Sequence, residues 1–144
     1  MNYFFDTSGL FKIYHKEQGT EKVLGIYNGT DKICISELAK VEFYSIIYRK
    51  YRDGEIELET LNLLIEKFKS DTEDRYDVLN FSSGVTEQAQ DFISKYGESR
   101  GIRALDSLQL SFFEFYCEKE DTFVCADVKL AKIAREAKKE VLVP

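Results

Sequence analysis

Asn2-Tyr3-Phe4-Phe5-Asp6 decides how the rest of the chain is read. Tyr3, Phe4 and Phe5 form a short apolar run with no polar alternation, and an acid closes it. Such a run is what a strand buried on both faces requires, as in a parallel sheet covered by helices. The pattern returns near the other end, where Phe123-Val124-Cys125-Ala126 runs directly into Asp127. Between them, short apolar runs alternate with longer helical patterns. Strands are read over residues 2–5, 32–35, 76–81, 122–126 and 140–143. Helices are read over 10–17, 21–27, 37–52, 57–69, 86–96 (closed by Gly97), 104–118 and 128–138. This order predicts an α/β fold with a parallel sheet. In open sheets of that kind ligands bind beyond the carboxyl ends of the strands, where Asp6 and Asp127 fall.

The 144 residues suit one domain over 1–144, long enough to bury a core without disulfides. Hydrophobic residues are 44% of the chain and aromatics 14%, which excludes intrinsic disorder. Pro144 is the sole proline, and no linker-like or repetitive stretch occurs. Twenty basic against 26 acidic residues give a net charge of -6, so the chain is no generic phosphate-backbone binder. Nucleic acid would have to be met by a local basic rim or a bound cation. The three cysteines, Cys34, Cys117 and Cys125, have apolar neighbours and no CxxC spacing, and read as buried reduced thiols of a cytoplasmic protein. The only histidine, His15, is remote from all of them, which excludes an ordinary zinc site, and reads as a solvent-facing helix residue. The first residues carry no basic, apolar leader, and no apolar stretch is long enough to span a membrane.

Two further acids sit where acids are costly. Glu42 lies beside the core-facing stripe of its helix, with Leu38, Ser45 and Ile46 one turn away. Glu37 is about 140° further round and reads as a favourable first-turn charge. Asp106 opens a helix that is apolar nearly all round. Each acid also has a plain structural use: Asp6 and Asp127 as helix caps, Asp106 as a hydrogen-bonded first-turn residue. Yet Asp6, Glu42, Asp106 and Asp127 all tend inward with no basic neighbour beside them in sequence. Two carboxylates ~4 Å apart repel by about 4 kcal/mol at an effective dielectric near 20. Raised pKa values or a cation must relieve that repulsion, and an all-oxygen donor set selects Mg²⁺ or Mn²⁺. Such an ion serves metal-assisted phosphodiester hydrolysis.

Four segments together resemble the PIN domain family. They are Asp6-Thr7-Ser8-Gly9-Leu10, Ser36-Glu37-Leu38 leading to Glu42, Arg103-Ala104-Leu105-Asp106-Ser107-Leu108-Gln109-Leu110, and Thr122 to Leu130 with its Cys125-Ala126-Asp127. The closing Val141-Leu142-Val143-Pro144 is similar to the family's last strand and proline. Likeness is greatest to single-domain VapC-like toxins. The resemblance implies a three-layer α/β/α fold with a central parallel sheet of order 3-2-1-4-5. It implies an Mg²⁺- or Mn²⁺-dependent ribonuclease whose acids are Asp6, Glu42, Asp106 and Asp127, with Asp6 and Asp106 as direct ligands and Thr7 and Ser8 as the family's early hydroxyls. It also implies an RNA substrate, an antitoxin partner and a homodimer. Cys125 departs from the Thr or Ser that many members carry two residues before the last acid. A housekeeping PIN nuclease of RNA maturation, and a non-catalytic RNA- or protein-binding PIN module, are the alternative readings; all four acids being present argues against the second.

Arg49, seven residues after Glu42, and Arg100 and Arg103, flanking the start of the Asp106 helix, are candidate phosphate contacts. Lys129, Lys132, Arg135, Lys138 and Lys139 read as an exposed helix face with no assigned role. Tyr44, Tyr48 and Tyr51, with Ile47, give the Glu42 helix a second aromatic surface, either core or the seat of a partner.

Overall fold

A computed structural model describes residues 2–144. The chain runs β1 (Asn2–Phe5), α1 (Thr7–Phe11), α2 (Thr20–Tyr27), β2 (Lys32–Ser36), α3 (Glu37–Arg52), α4 (Leu58–Asp74), β3 (Tyr76–Leu79), α5 (Ser83–Arg100), α6 (Ala104–Tyr116), β4 (Thr122–Val124), α7 (Val128–Glu136) and β5 (Glu140–Leu142). The five strands form one sheet of order β3-β2-β1-β4-β5, every pair parallel. This is the three-layer α/β/α arrangement the resemblance implied.

The unalternating apolar runs have a direct physical consequence. Successive strand side chains point to opposite faces, so each run feeds two cores. Phe4, Cys34 and Phe123 face a core with Phe92 of α5, Phe112 and Phe113 of α6 and Leu130 of α7. Phe5, Ile33, Ile35 and Val124 face another with Leu10 of α1, Val23 of α2, Phe43 of α3 and Phe68 of α4. In the latter, the Phe43 and Phe68 rings stack with centroids 3.9 Å apart.

That core is tied down by a buried polar knot. Tyr14 and Tyr27 donate to the two oxygens of Asp71, at 2.6 and 2.9 Å, and Tyr76 lies 2.6 Å from the Tyr14 hydroxyl. Burial and the neighbouring Tyr76 and Asp71 push the Tyr14 hydroxyl far up, so it stays protonated and can donate.

Several sequence boundaries move. The first helix starts at Thr7, not Leu10, because Asp6 caps it by accepting from the Gly9 amide; it ends at Phe11 and tight turns replace its expected continuation to Glu17. Gly9 permits this placement, since a Cβ there would sit 3.0 Å from the Val124 carbonyl oxygen of β4. The helix α5 begins at Ser83 because Ser82 caps it, and it runs through Gly97 to a left-handed cap at Gly101 (φ 62°). One interior glycine costs about 1 kcal/mol against alanine, less than the helix gains by burying Tyr96 and closing at Gly101. His15 corrects its reading: it follows α1 rather than lying in a helix, and its half-buried ring stacks on Phe11. Cys34 and Cys125 are buried, whereas Cys117 is only partly so. Ile47 belongs to the core, while Tyr48 and Tyr51 are exposed and Tyr44 is half-buried. The last helix ends at Glu136, so Lys138 and Lys139 lie beyond it, and Lys139 is paired with Glu114 instead of standing free on a helix face. Among the described residues no helix is long and apolar enough to cross a membrane.

Candidate metal and phosphate site

The carboxyl ends of β1, β2 and β4 bring the acids to one edge of the sheet. Phe5 is in register with both Ile35 and Val124. Asp6 therefore leaves the middle of the sheet beside the segment that leads to Asp127, and its amide donates to the Val124 carbonyl at 3.0 Å. Asp6 caps α1, Ser36 caps α3 and Asp127 caps α7, so three helices start at this edge. Capping and a site role therefore coexist at Asp6 and Asp127.

Asp6 is 5% exposed. Ser8 Oγ donates to both its oxygens at 2.7 and 2.9 Å, the Gly9 amide to Oδ1 at 2.9 Å, and the Cys125 thiol to Oδ2 at 3.4 Å. Burial outweighs these donors and, with repulsion from Glu42, pushes its pKa up to about 6. The Cys125 thiol is itself held well above its usual range, chiefly by burial and then by the Asp6 charge, so it is a donor rather than a thiolate. Cys125 thus takes a definite place: its one proton is within reach of Asp6 Oδ2 and, at 3.3 Å, of the Asp127 carbonyl oxygen, between the loops of the two acids. Ser8 Oγ in turn accepts from the Ala126 amide at 3.1 Å, joining the loops that carry Asp6 and Asp127.

Glu42, Asp106 and Asp127 line one cavity of about 510 Å³ together with Arg103, Ala104 and Leu105. Asp106 is half-buried. Burial raises its pKa first, then Asp127 and Glu42; Arg103 and Lys129 oppose the rise. Asp127 is exposed rather than turned inward, because its side chain reaches back over the first turn of α7 to accept from the Leu130 amide at 3.0 Å. Thr7 is buried and donates to Glu42 Oε1 at 2.8 Å. A second cavity of about 290 Å³ shares Asp127 and is lined by Ser8, Ala126, Arg49 and Lys50.

The basic candidates separate. Arg103, at the N-cap of α6, borders the acidic cavity, and Arg49 borders the neighbouring one. Arg100 is paired with Glu136 of α7, its Nε donating at 3.0 Å, so its charge is already engaged. Two further residues contribute. Lys129, on what the sequence reads as an exposed helix face, has a charge that reaches Asp106. Gln109 sits at the Asp106 position plus three and is 3% exposed. A polar side chain so placed within an otherwise apolar helix is the signal that could have found it.

Among the described residues no group of three or more His, Cys, Asp or Glu is arranged to hold a metal ion. The chemistry of the donors nonetheless fits a hard cation. They are carboxylates and hydroxyls, the nearby Cys125 thiol is protonated, and Asp6 and Asp106 are held above their usual pKa by burial and by neighbouring acids. Mg²⁺ typically uses one or two carboxylates and keeps its waters, so a closed cage is not required.

The PIN domain family model matches residues 3–136. The chain belongs to the PIN domain family. No curated protein matches the PIN chain by sequence. Its fold is similar to that of VapBC2 from Rickettsia felis, solved bound to a DNA fragment from their promoter, at 18% identity, with 100% of this chain and 99% of that one covered and a TM-score of 0.68. It is similar to FitAcB from Neisseria gonorrhoeae at 14% identity, with 97% and 96% covered and a TM-score of 0.72. It is similar to PAE2754 from Pyrobaculum aerophilum at 17% identity, with 98% and 83% covered and a TM-score of 0.64. These likenesses show that the PIN fold extends over the chain.

Proposed function

We propose that this PIN domain, acting as one unit over residues 1–144, is an Mg²⁺- or Mn²⁺-dependent endoribonuclease of the cytoplasm. We further propose that it is the toxin of a type II toxin–antitoxin pair, works as a homodimer and is held in check by an antitoxin. The observation that carries the reading is that Glu42, Asp106 and Asp127 share one cavity with Arg103, while Asp6 is buried beside them and feels the charge of Glu42. Family membership and the VapBC and FitAB folds support the toxin reading. Exposed Tyr48 and Tyr51 on α3 offer an apolar surface on which a partner's helix would dock.

Asp6 and Asp106 would hold the ion directly, and Glu42 and Asp127 through water or by orienting the attacking water. A bound ion would polarise the scissile phosphate and make the attacking water more acidic. No histidine base is needed, which suits a chain whose only histidine is stacked on Phe11. Arg103 would bind the phosphate beside the acids and Arg49 a neighbouring one, which lets an acidic protein take a polyanion. Thr7 and Ser8 spend their protons on Glu42 and Asp6, so their role is to fix carboxylates in place.

Sequencing RNA 5′ ends from cells expressing the protein or its Asp6→Asn variant tests the reading. New ends at defined positions with the unaltered protein alone are the expected result; identical end profiles from the two would overturn it.

A further inference from the structure

Gln109 of α6 connects the ends of β1 and β2 to the acid on α3. The Ala39 amide donates to Ser36 Oγ at 3.1 Å, and Ser36 Oγ donates to Gln109 Oε1 at 2.8 Å. On its other side the Gln109 amide nitrogen donates to Glu42 Oε1 at 2.7 Å and to Thr7 Oγ1 at 2.9 Å. Thr7 donates in turn to the same Glu42 oxygen at 2.8 Å. The direction of this chain is fixed at the Glu42 end. A carboxylate only accepts, so the amide must present its NH₂ to Glu42; its oxygen then faces Ser36 and, being an acceptor only, takes the Ser36 proton. Both amide hydrogens and the amide oxygen are thus used, and the side chain has no second arrangement that satisfies its partners.

We propose that Gln109 is the positioning residue of this site: it clamps Glu42 and Thr7 into one unit, fixing Glu42 Oε1 and leaving Oε2 as the oxygen for the cavity. Among the described residues Oε2 of Glu42 makes no protein hydrogen bond, whereas Oε1 accepts two. The clamp spans α6, α3 and the start of α1, so it sets the distance between the acid on α3 and the acid on α6. Asp106 and Gln109 are three residues apart on one helix, so positioning Gln109 against Glu42 also positions Asp106. Removing it leaves buried donors and acceptors unpaired, and Glu42 becomes free to turn. Gln109 touches no reacting atom; it acts through Glu42.

This inference rests on the nuclease reading, and the test separates the two. Gln109→Leu is expected to lower kcat by about 10–100-fold, the usual cost of losing a group that orients a ligand, with KM for a defined RNA unchanged within about twofold. Calorimetric Mn²⁺ titration of the metal-free protein is expected to show weaker binding by a similar factor. In a Glu42→Gln background the same Gln109→Leu change is expected to weaken Mn²⁺ binding no further. An equal loss in both backgrounds, or a lowered melting temperature with kcat and Mn²⁺ binding unmoved, would overturn the positioning role. If circular dichroism shows the leucine variant unfolded, Gln109→Asn carries the test. Its amide is one methylene too short to reach Ser36 and Glu42 together, so it is expected to behave the same way. Full cleavage activity in Glu42→Gln would overturn the nuclease reading itself; an inactive Glu42→Gln beside a fully active Gln109→Leu would overturn only this inference.

Discussion

Ser8 lies between Asp6 and Ala126: its hydroxyl donates to Asp6 Oδ1 at 2.7 Å and accepts from the Ala126 amide at 3.1 Å. One small side chain therefore holds the first acid of the chain against the loop of the last. Ser8→Ala is expected to keep the fold and to raise the pKa of Asp6 further, because the largest opposing hydrogen bond is lost. Titration of the Asp6 carboxyl by carbon-13 NMR, in protein without added metal, would show the midpoint above its present value; a midpoint that stays put counts against the role given to Ser8.

Asp6→Asn should abolish RNA cleavage and yet stabilise the metal-free protein. The folded pKa of Asp6, about 6, is above the ordinary 3.8. A group raised in this way contributes its full stability below pH ~4 and loses it as pH climbs through about 6. At pH 7 the buried charge costs roughly 3 kcal/mol, from about two units at 1.36 kcal/mol each. The asparagine variant should melt higher than the unaltered protein at pH 7, with the gain gone near pH 4. Equal melting temperatures across that range would contradict the buried-charge account.

Cys125→Ser replaces a weak donor to Asp6 with a stronger one. The Asp6 pKa should fall, so the stability that the metal-free protein loses as pH rises from about 4 should be smaller and the loss should end at a lower pH. Melting curves from pH 4 to 8 check this; an unshifted profile would show that the thiol does not act on Asp6.

Chelation by EDTA should stop cleavage, and Mg²⁺ or Mn²⁺ should restore it. The same ions should raise the melting temperature at pH 7, since they offset the repulsion among Asp6, Glu42 and Asp106. Zn²⁺ should be a poorer substitute for an all-oxygen donor set. Cleavage indifferent to EDTA would sink the metal mechanism.

The arginines should divide by place. Arg103→Ala should raise KM for RNA several-fold and reduce its salt dependence by about one phosphate contact, a log–log slope change of ~0.7 for single strands. Arg100→Ala should leave KM unchanged, because that side chain is engaged with Glu136. Steady-state kinetics at several salt concentrations would expose the opposite pattern.

Parallel topology and the strand-end places of Asp6 and Asp127 were legible in the sequence because each rests on a local signal. Apolar runs without alternation mark doubly covered strands, and Phe4 and Phe5 do feed opposite cores. An acid directly after such a run must lie at the strand's carboxyl end, as Asp6 does. What stayed hidden depends on the third dimension. Nothing beside Gln109 in sequence reveals Ser36 or Glu42, which reach it from 73 and 67 residues away. Arg100 and Arg103 are three residues apart and equally basic; only the approach of α7 shows that one is taken by Glu136. The boundaries at α1 and α5 shift for physical reasons: Asp6 and Ser82 start their helices directly at the next residue, before the apolar pattern begins, and one interior glycine, Gly97, is too weak a stop to end α5.

The placement of β1 between β2 and β4 fixes when the sheet closes during synthesis. Asp6 is made more than a hundred codons before its β4 neighbour and Asp127. A nascent chain that still lacks β4 has one side of β1 unpaired and lacks Asp127. On the proposed nuclease reading, the site gains its fourth acid only when the segment before the last helix has been made.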